Sequence, residues 1–311
     1  MYFDNIIGQD FAKKYLTNSI NKNKIKHAYM FEGIDGIGKK KFSQELSKIL
    51  LETDNVDSSP DYINIHPDGN SIKIAQIRKL QTDIIIKPHK KYKIYIINQA
   101  DSMTVEAQNA LLKTLEEPPE YAIIILITSN KGSLLDTIKS RCEIIKFLPI
   151  SILDLNKYLI NKGIDENRAQ LLSTFARGSI EKAIELSESA DFTIMRDEIQ
   201  TYIETMLDKD IIDILEIPTS IEKYKKDSIN ILDMLINYFR DIMLLKENVD
   251  KSMLINIDKL TFLQNMSKKI TYSQVSKIID IIEDIKIKIR SNCNFSISIQ
   301  VMALNIYEVI K

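Results

Sequence analysis

Residues 33–40 read Gly-Ile-Asp-Gly-Ile-Gly-Lys-Lys, between an apolar run at 28–31 and a helical pattern at 41–51. This order predicts a strand, a glycine-rich turn and a helix. The turn matches the pattern G-x-x-x-x-G-K, in which Lys39 reaches the outer phosphates of a nucleotide. Glycines permit backbone angles that let successive N–H groups face an anion at the positive end of a helix. Those glycines are Gly33, Gly36 and Gly38.

Two features of this phosphate-binding pattern depart from a working ATPase. Lys40 stands where the pattern has Ser or Thr, whose hydroxyl normally binds Mg²⁺. The strand predicted at 93–97 should end in an acidic residue that binds the same metal, but neutral Asn98 and Gln99 follow it. Because both changes remove oxygen ligands, we expect a degenerate nucleotide site that does not hydrolyse ATP, whether or not it still holds a nucleotide.

The first half of the chain alternates between strand and helix patterns. Further strands are predicted at 63–65, 123–127 and 144–147, and helices at 10–20, 71–84 (capped by Ser71), 104–117 (capped by Thr104) and 134–140. Such alternation indicates an α/β domain with a parallel five-stranded sheet and flanking helices. Thr128, Ser129 and Asn130 follow the fourth strand, at the edge where such sheets bind ligands.

The second half of the chain is helical. Pro149-Ile150 marks a boundary, three short helices are predicted at 151–160, 165–176 and 179–187, and all patterns from Phe192 onward are helical. We therefore expect three domains: an α/β domain at 1–149, a small three-helix domain at 150–206 and an all-α domain at 207–311.

Composition narrows the class of protein. The net charge of −1 argues against a surface that grips nucleic acid throughout. Two distant cysteines, Cys142 and Cys293, form neither a disulfide framework nor a cysteine-rich zinc site. No apolar run approaches the ~20 residues of a membrane helix, and the N-terminus lacks a basic-then-apolar signal. These features predict a cytoplasmic protein without a membrane partner.

Several motifs occur in an order that resembles a known family. Residues 107–119 read Ala-Gln-Asn-Ala-Leu-Leu-Lys-Thr-Leu-Glu-Glu-Pro-Pro, and Ser140-Arg141-Cys142 forms an SRC motif. His27-Ala28-Tyr29-Met30-Phe31 and Gly8-Gln9 complete the set. Together they resemble the AAA+ subunits of the bacterial clamp loader of DNA polymerase III. The resemblance covers residues 1–150, and its two longest motifs are specific.

The resemblance implies roles for particular residues. The α/β domain would be an AAA+ domain, followed by a helical lid and a helical collar. Arg141 matches the arginine that reaches the ATP of a neighbouring subunit, and its guanidinium fork suits a γ-phosphate. Thr128, Ser129 and Asn130 match the sensor-1 segment. Lys182 replaces the sensor-2 arginine within Gly178-Ser179-Ile180-Glu181-Lys182-Ala183 and loses the bidentate fork.

The resemblance also implies partners and a cofactor question. The partners would be the gamma/tau ATPase subunits and delta, with the sliding clamp and primer-template DNA reached through the complex. Many relatives carry a four-cysteine zinc module, but residues 52–61 contain no cysteine, so we expect no zinc. The altered nucleotide site favours a non-hydrolysing stator. The alternatives are an active AAA+ motor of the same loader and a diverged ATPase acting outside it.

Overall fold

The computed structural model describes residues 2–208, 211–247, 250 and 253–311. These residues form two compact units. The first contains the residues up to 162 together with 176–184, and the second contains 163–175 and the described residues from 185 onward. The division into three domains at 149/150 and 206/207 stays a prediction.

The first unit is built on one sheet of five parallel strands, in the order β2-β3-β4-β1-β5. The strands are β1 (Ala28–Glu32), β2 (Tyr62–Ile65), β3 (Lys93–Ile97), β4 (Ala122–Thr128) and β5 (Glu143–Lys146). All seven residues of β4 are buried, as expected for a central strand covered on both faces. The predicted five-stranded parallel α/β fold is confirmed.

Six helices of the first unit flank the sheet or follow it. They are α1 (Asp10–Asn21), α2 (Lys39–Leu51), α3 (Ile74–Asp83), α4 (Val105–Glu116), α5 (Asp136–Lys139) and α6 (Ile152–Asn161). Thr104 caps α4 as predicted, because its Oγ1 accepts from the amide of Ala107 at 3.3 Å. The prediction that Ser71 caps α3 is wrong. The carbonyl of Ser71 accepts from the amide of Asp68, and α3 begins only at Ile74.

The alternation of side chains along the strands produces two cores, one on each face of the sheet. On one face, Phe31 packs among residues of α1 and α2, including Leu16 and Phe42. On the other face, Met30 shares a core with residues of α3 and α4. Successive residues of β1 thus serve opposite cores, as the period of two in a strand requires.

The strand order places a crevice at the carboxyl end of β1. From β1 the chain crosses to β2, β3 and β4 on one side, and from β4 it passes to β5 on the other side of β1. Ligands of open α/β sheets bind where the strand order reverses in this way. The glycine loop follows β1 and residues 128–130 end β4, so both lie at that edge.

Helices make up the rest of the described chain. They are α7 (Glu166–Phe175), α8 (Ile180–Glu188), α9 (Ala190–Asp208), α10 (Ile211–Ile221), α11 (Ser228–Lys246), α12 (Leu260–Lys269), α13 (Tyr272–Arg290) and α14 (Phe295–Ile310). The predicted helical second half is confirmed for these residues. Within the described part of the chain, no helix combines the length and apolar character needed to cross a bilayer.

A buried polar network holds residues 254–258 of the second unit. The guanidinium of Arg196 donates to both carboxylate oxygens of Asp258, each at 2.9 Å, and to Oδ1 of Asn256 at 3.1 Å. The buried carboxylate of Asp241 accepts from the amides of Ile255 and Asn256 at 3.1 and 2.7 Å. These bonds connect α9 and α11 to the segment before α12.

Candidate functional site

The glycine loop turns sharply from β1 into α2. Gly36 and Gly38 have φ angles of +74° and +93°, which side chains with a Cβ rarely adopt. The amide of Gly33 donates to the carbonyl of Thr128 at 3.2 Å, and the first helical bond runs from Phe42 to Gly38 at 2.9 Å. Between these two bonds, the amides of residues 34–36 and 38–41 donate to no carbonyl or side chain of the described residues. They form a row of free donors at the positive end of α2.

The outer side of the loop is held by the start of α8. The amide of Glu181 donates to the carbonyl of Gly36 at 3.2 Å. A Cβ on Gly36 would lie 2.1 Å from Oγ of Ser179, so a larger residue does not fit there. Because the contact uses a carbonyl of the loop, it leaves the amide donors of the loop available.

Lys39 is buried inside the loop, with only 5% of its surface exposed. Its ammonium donates to the carbonyl of Ile34 at 2.7 Å and also to that of Gly33. Asp35 lies 3.7 Å away. Burial lowers the pKa of Lys39, and the nearby carboxylate of Asp35 partly opposes that shift. The ammonium of Lys39 thus lies inside the loop, and its role as a phosphate ligand stays a prediction.

A cavity of about 870 Å³ opens at the loop. Such a volume lies within the usual range for small-molecule sites. Lys39, Lys40 and Lys41 line it together with His66. Burial and the charge of Lys40 lower the pKa of His66. Apolar and aromatic side chains also line it: Ile6, Ile7, Ile37, Ile127, Tyr158, Ile180 and Ile184.

The two positions at the end of β3 where an acidic metal ligand is expected hold Asn98 and Gln99. The amide nitrogen of Asn98 donates to Oδ1 of Asn64 and to the carbonyl of Ile65, the latter at 3.2 Å, so this side chain ties β3 to β2. Gln99 is exposed and adopts a left-handed conformation. Within the described ranges, no group of three or more His, Cys, Asp or Glu side chains could hold a metal ion.

Local hydrogen bonds fix the three residues predicted to act as sensor 1, namely Thr128, Ser129 and Asn130. The hydroxyl of Thr128 donates to Oδ1 of Asp101 at 2.7 Å and accepts from the amide of Asn130 at 3.1 Å. The same carboxylate of Asp101 accepts from the amide of Ser129 at 3.3 Å. The side chain of Asn130 accepts from the amide of Gly132 at 3.0 Å. Asp101 thus fastens the end of β4.

The segment predicted to act as sensor 2 contributes to the lining of the cavity. Among the described residues that line the cavity are Ile180, Glu181 and Ile184, whereas Lys182 is not among them. The amide of Lys182 donates to Oγ of Ser179 at 3.2 Å, so the start of α8 is locally capped. Glu181 thus brings a carboxylate of this segment to the cavity, and the role of Lys182 stays a prediction.

Arg141 lies away from the cavity, at the amino ends of the strands, whereas the cavity lies at their carboxyl ends. It precedes β5, which runs parallel to β1 with Tyr29 opposite Glu143 and Glu32 opposite Lys146. The glycine loop follows the other end of β1, so the two sites are separated by on the order of 15–20 Å of strand. Nη2 of Arg141 lies 2.7 Å from Oε1 of Glu116, and Nη1 donates to the carbonyl of Thr137 at 2.9 Å. About a third of its side chain is exposed, 34%.

Comparison with known proteins identifies the family. A family described as "DNA polymerase III, delta subunit" matches residues 8–151. The DNA polymerase III subunit delta' of Bacillus subtilis is 32% identical over 310 residues, which cover 92% of each chain. The chain belongs to the DNA polymerase III delta-prime family. It is therefore a clamp-loader subunit of DNA polymerase III.

Two further proteins are similar to this delta-prime family member. The tau subunit of Bacillus subtilis DNA polymerase III is 29% identical, with 78% of this chain and 50% of the tau chain covered. This chain thus spans half the length of that relative. A gamma subunit-related protein of Thermotoga maritima has a similar structure, with 20% identity, a TM-score of 0.45 and coverage of 96% of this chain and 99% of that one.

Sequence reasoning missed three residues of these sites. Glu181, Asp101 and Glu116 each act through a partner from a distant segment, namely Gly36, Thr128 and Arg141. Motif spacing cannot find such partners. For Glu116 a signal was available: it directly precedes Glu117-Pro118-Pro119, so it ends α4, where a helix favours a nearby cation.

Proposed function

We propose that this delta-prime family member is a non-hydrolysing stator of the clamp loader that donates Arg141 to ATP held by an adjacent gamma/tau ATPase subunit. The observation that carries the proposal is the position of Arg141. It lies at the amino end of β5, whereas the glycine loop lies at the carboxyl end of β1. An arginine at the amino ends of the strands cannot reach a nucleotide at their carboxyl ends in the same chain. It can, however, face the nucleotide site of a neighbouring subunit.

The chemistry of Arg141 supports this role. Its guanidinium is always charged and presents a planar fork that matches phosphate oxygens. Nη1 and Nη2 have partners, but Nε donates to no acceptor among the described residues. Glu116 is half exposed, so this ion pair can exchange for a stronger anion at low cost.

The state of the chain's own site supports the non-hydrolysing role. Lys40 replaces the hydroxyl ligand of the metal, and Asn98 is committed to bonds with Asn64 and Ile65. Without oxygen ligands for Mg²⁺, the charge that develops on a transferring phosphoryl group is not neutralised. An active motor, the alternative function, would need Ser or Thr at 40 and acidic residues at 98 and 99.

The proposed partners follow from the same role. They are the gamma/tau and delta subunits, with the sliding clamp and primer-template DNA reached through the assembled loader. Relatives named as delta', tau and gamma subunits of DNA polymerase III support the partnership with other subunits. Cytoplasmic location and the absence of zinc stay predictions.

The test is ATP hydrolysis by the reconstituted loader in the presence of clamp and primed DNA. Arg141→Ala should leave assembly intact and cut stimulated hydrolysis by about tenfold or more at the site that it serves. Arg141→Lys should be nearly as impaired, because lysine keeps the charge and loses the fork. Lys139→Ala, two residues away, is the control and should be unaffected. Unchanged hydrolysis in Arg141→Ala would overturn the role.

The variant Lys39→Ala distinguishes the stator hypothesis from the motor hypothesis in the same assay. A stator does not use its own phosphate lysine for chemistry, so the variant should hydrolyse ATP in the assembled loader at nearly the normal rate. A loss as large as that expected for Arg141→Ala would favour the motor. Assembly of both variants is checked first by gel filtration of the loader.

A further inference from the structure

The guanidinium of Arg141 already has an anionic partner within its own chain. Nη2 of Arg141 lies 2.7 Å from Oε1 of Glu116. Nη1 donates to two uncharged acceptors, the carbonyl of Thr137 at 2.9 Å and Oγ of Ser140 at 3.4 Å. A carboxylate and a phosphate suit the same fork of donors. Glu116 is therefore placed to compete with a phosphate for this guanidinium.

The position of Glu116 keeps this ion pair weak. Glu116 is the last residue of α4, at the negative end of the helix, where a carboxylate is unfavourable. Half of its side chain is exposed, so water can replace Arg141 when the pair opens. Exposed ion pairs shift an equilibrium by at most about fivefold. A pair of this strength holds Arg141 when no other anion is near, and it yields to a phosphate, which offers more charge and more acceptor oxygens.

The structure around the pair does not depend on it. The side chain of Gln108, buried in α4, accepts from the amide of Leu135 at 2.8 Å, directly before α5. This bond joins α4 to α5 independently of Glu116. The bond from Arg141 to the carbonyl of Thr137 does not involve the carboxylate either. Opening of the pair therefore frees Nη2 of Arg141 while α4 and α5 keep their positions.

We propose that Glu116 is a positioning residue that restrains Arg141, so that the arginine engages the ATP of a neighbouring subunit only when a phosphate displaces this carboxylate. The inference rests on the proposed function, because it needs the role of Arg141 in the neighbour's site. Loss of the carboxylate should raise hydrolysis, whereas a merely structural defect would lower it. The gain should be largest without clamp and DNA, because complete engagement leaves nothing for the loss of restraint to add.

The test is ATP hydrolysis by the reconstituted loader, measured with and without clamp and primed DNA. Glu116→Gln keeps the size and the acceptor but loses the charge, and it should raise unstimulated hydrolysis by about three- to fivefold. Stimulated hydrolysis should stay within about twofold of the wild type, because the arginine is then already engaged. Glu116→Asp retains a carboxylate and should give a smaller rise. Glu117→Gln removes the same charge from the next, exposed residue and should leave both rates unchanged.

The same substitution in an Arg141→Ala background decides whether Glu116 acts through the arginine. The rise should disappear in the double variant, because no guanidinium is left to release. An unchanged or lower unstimulated rate in Glu116→Gln overturns the inference, as does an equal rise in Glu117→Gln or in the double variant. Circular dichroism melting shows that each variant is folded.

Failure of this inference can be distinguished from failure of the proposed function. If Arg141→Ala alone cuts stimulated hydrolysis and Glu116→Gln has no effect, the role of Arg141 stands and the restraint by Glu116 is overturned. If Arg141→Ala alone leaves stimulated hydrolysis unchanged, the proposed function is overturned and the restraint with it.

Discussion

Arg141 and Glu116 form an ion pair in which Nη2 lies 2.7 Å from Oε1, and half of the Glu116 side chain is exposed. Glu116 is the last residue of α4, at the negative end of that helix, where a carboxylate is unfavourable and a cation is favourable. Arg141 therefore offsets a poorly placed charge. The pair holds the guanidinium at the surface of the protein.

The strength of that pair can be measured. We expect a double-mutant cycle of Arg141→Ala and Glu116→Gln to give a coupling below about 1 kcal/mol in urea denaturation, because both side chains are partly exposed. A weak coupling means that Arg141→Ala stays folded, so that a loss of loader activity reports on the arginine itself. A coupling of several kcal/mol would instead make Arg141 a structural residue.

The second unit should depend strongly on one buried arginine. Arg196→Met removes three hydrogen bonds to Asn256 and Asp258, and we expect it to lower the free energy of unfolding by about 2 kcal/mol. The penalty is moderate because Asp258 is 44% exposed and regains water. Arg168→Met is the control. That exposed arginine donates one bond to the carbonyl of Ser187, so its loss should cost less than about 1 kcal/mol. If urea denaturation gave the two variants equal losses in free energy of unfolding, the buried network around Arg196 would not have the stabilising role assigned to it.

The two cysteines should differ in reactivity. Burial raises the pKa of Cys142 to about 12, whereas Cys293 is exposed. Because the thiolate is the nucleophile, Cys142 should react with a disulfide reagent at pH 8 at least about a hundredfold more slowly than Cys293, and its rate should rise as pH rises. Cys293→Ser should abolish the fast phase and leave the slow one. A fast phase that persists in this variant would show that Cys142 is accessible.

Local sequence signals predicted the strands well, and long-range packing explains what they missed. β4 is an unbroken apolar run bounded by turn residues, so its apolar character and its length both predicted a buried strand. At Ser71 two local signals competed. The hydroxyl of Ser71 could cap a helix, but its backbone instead forms a β-bridge with Asp68. Helix α3 therefore begins three residues further on, at Ile74. Glu181 meets the glycine loop only because α8 packs on it, and no pattern within either segment records that contact.

The glycine loop itself provides a matched pair of substitutions. Gly36 and Gly38 both have positive φ angles, but a Cβ at Gly38 has nothing within 4 Å, whereas at Gly36 it lies 2.1 Å from Oγ of Ser179 and 2.9 Å from Cβ of Glu181. Gly38→Ala should therefore carry only the backbone cost, about 1 kcal/mol. Gly36→Ala should carry that cost and also displace α8 from the loop, for a total above about 2 kcal/mol.

Hydrogen–deuterium exchange distinguishes these two variants. In Gly36→Ala, the amides at the start of α8 should exchange faster, because the bond from Glu181 to the carbonyl of Gly36 is broken. In Gly38→Ala, exchange in α8 should match the wild type. Equal protection of α8 in both variants would mean that the loop and α8 are not coupled through Gly36, and that other contacts hold the start of α8 to the cavity.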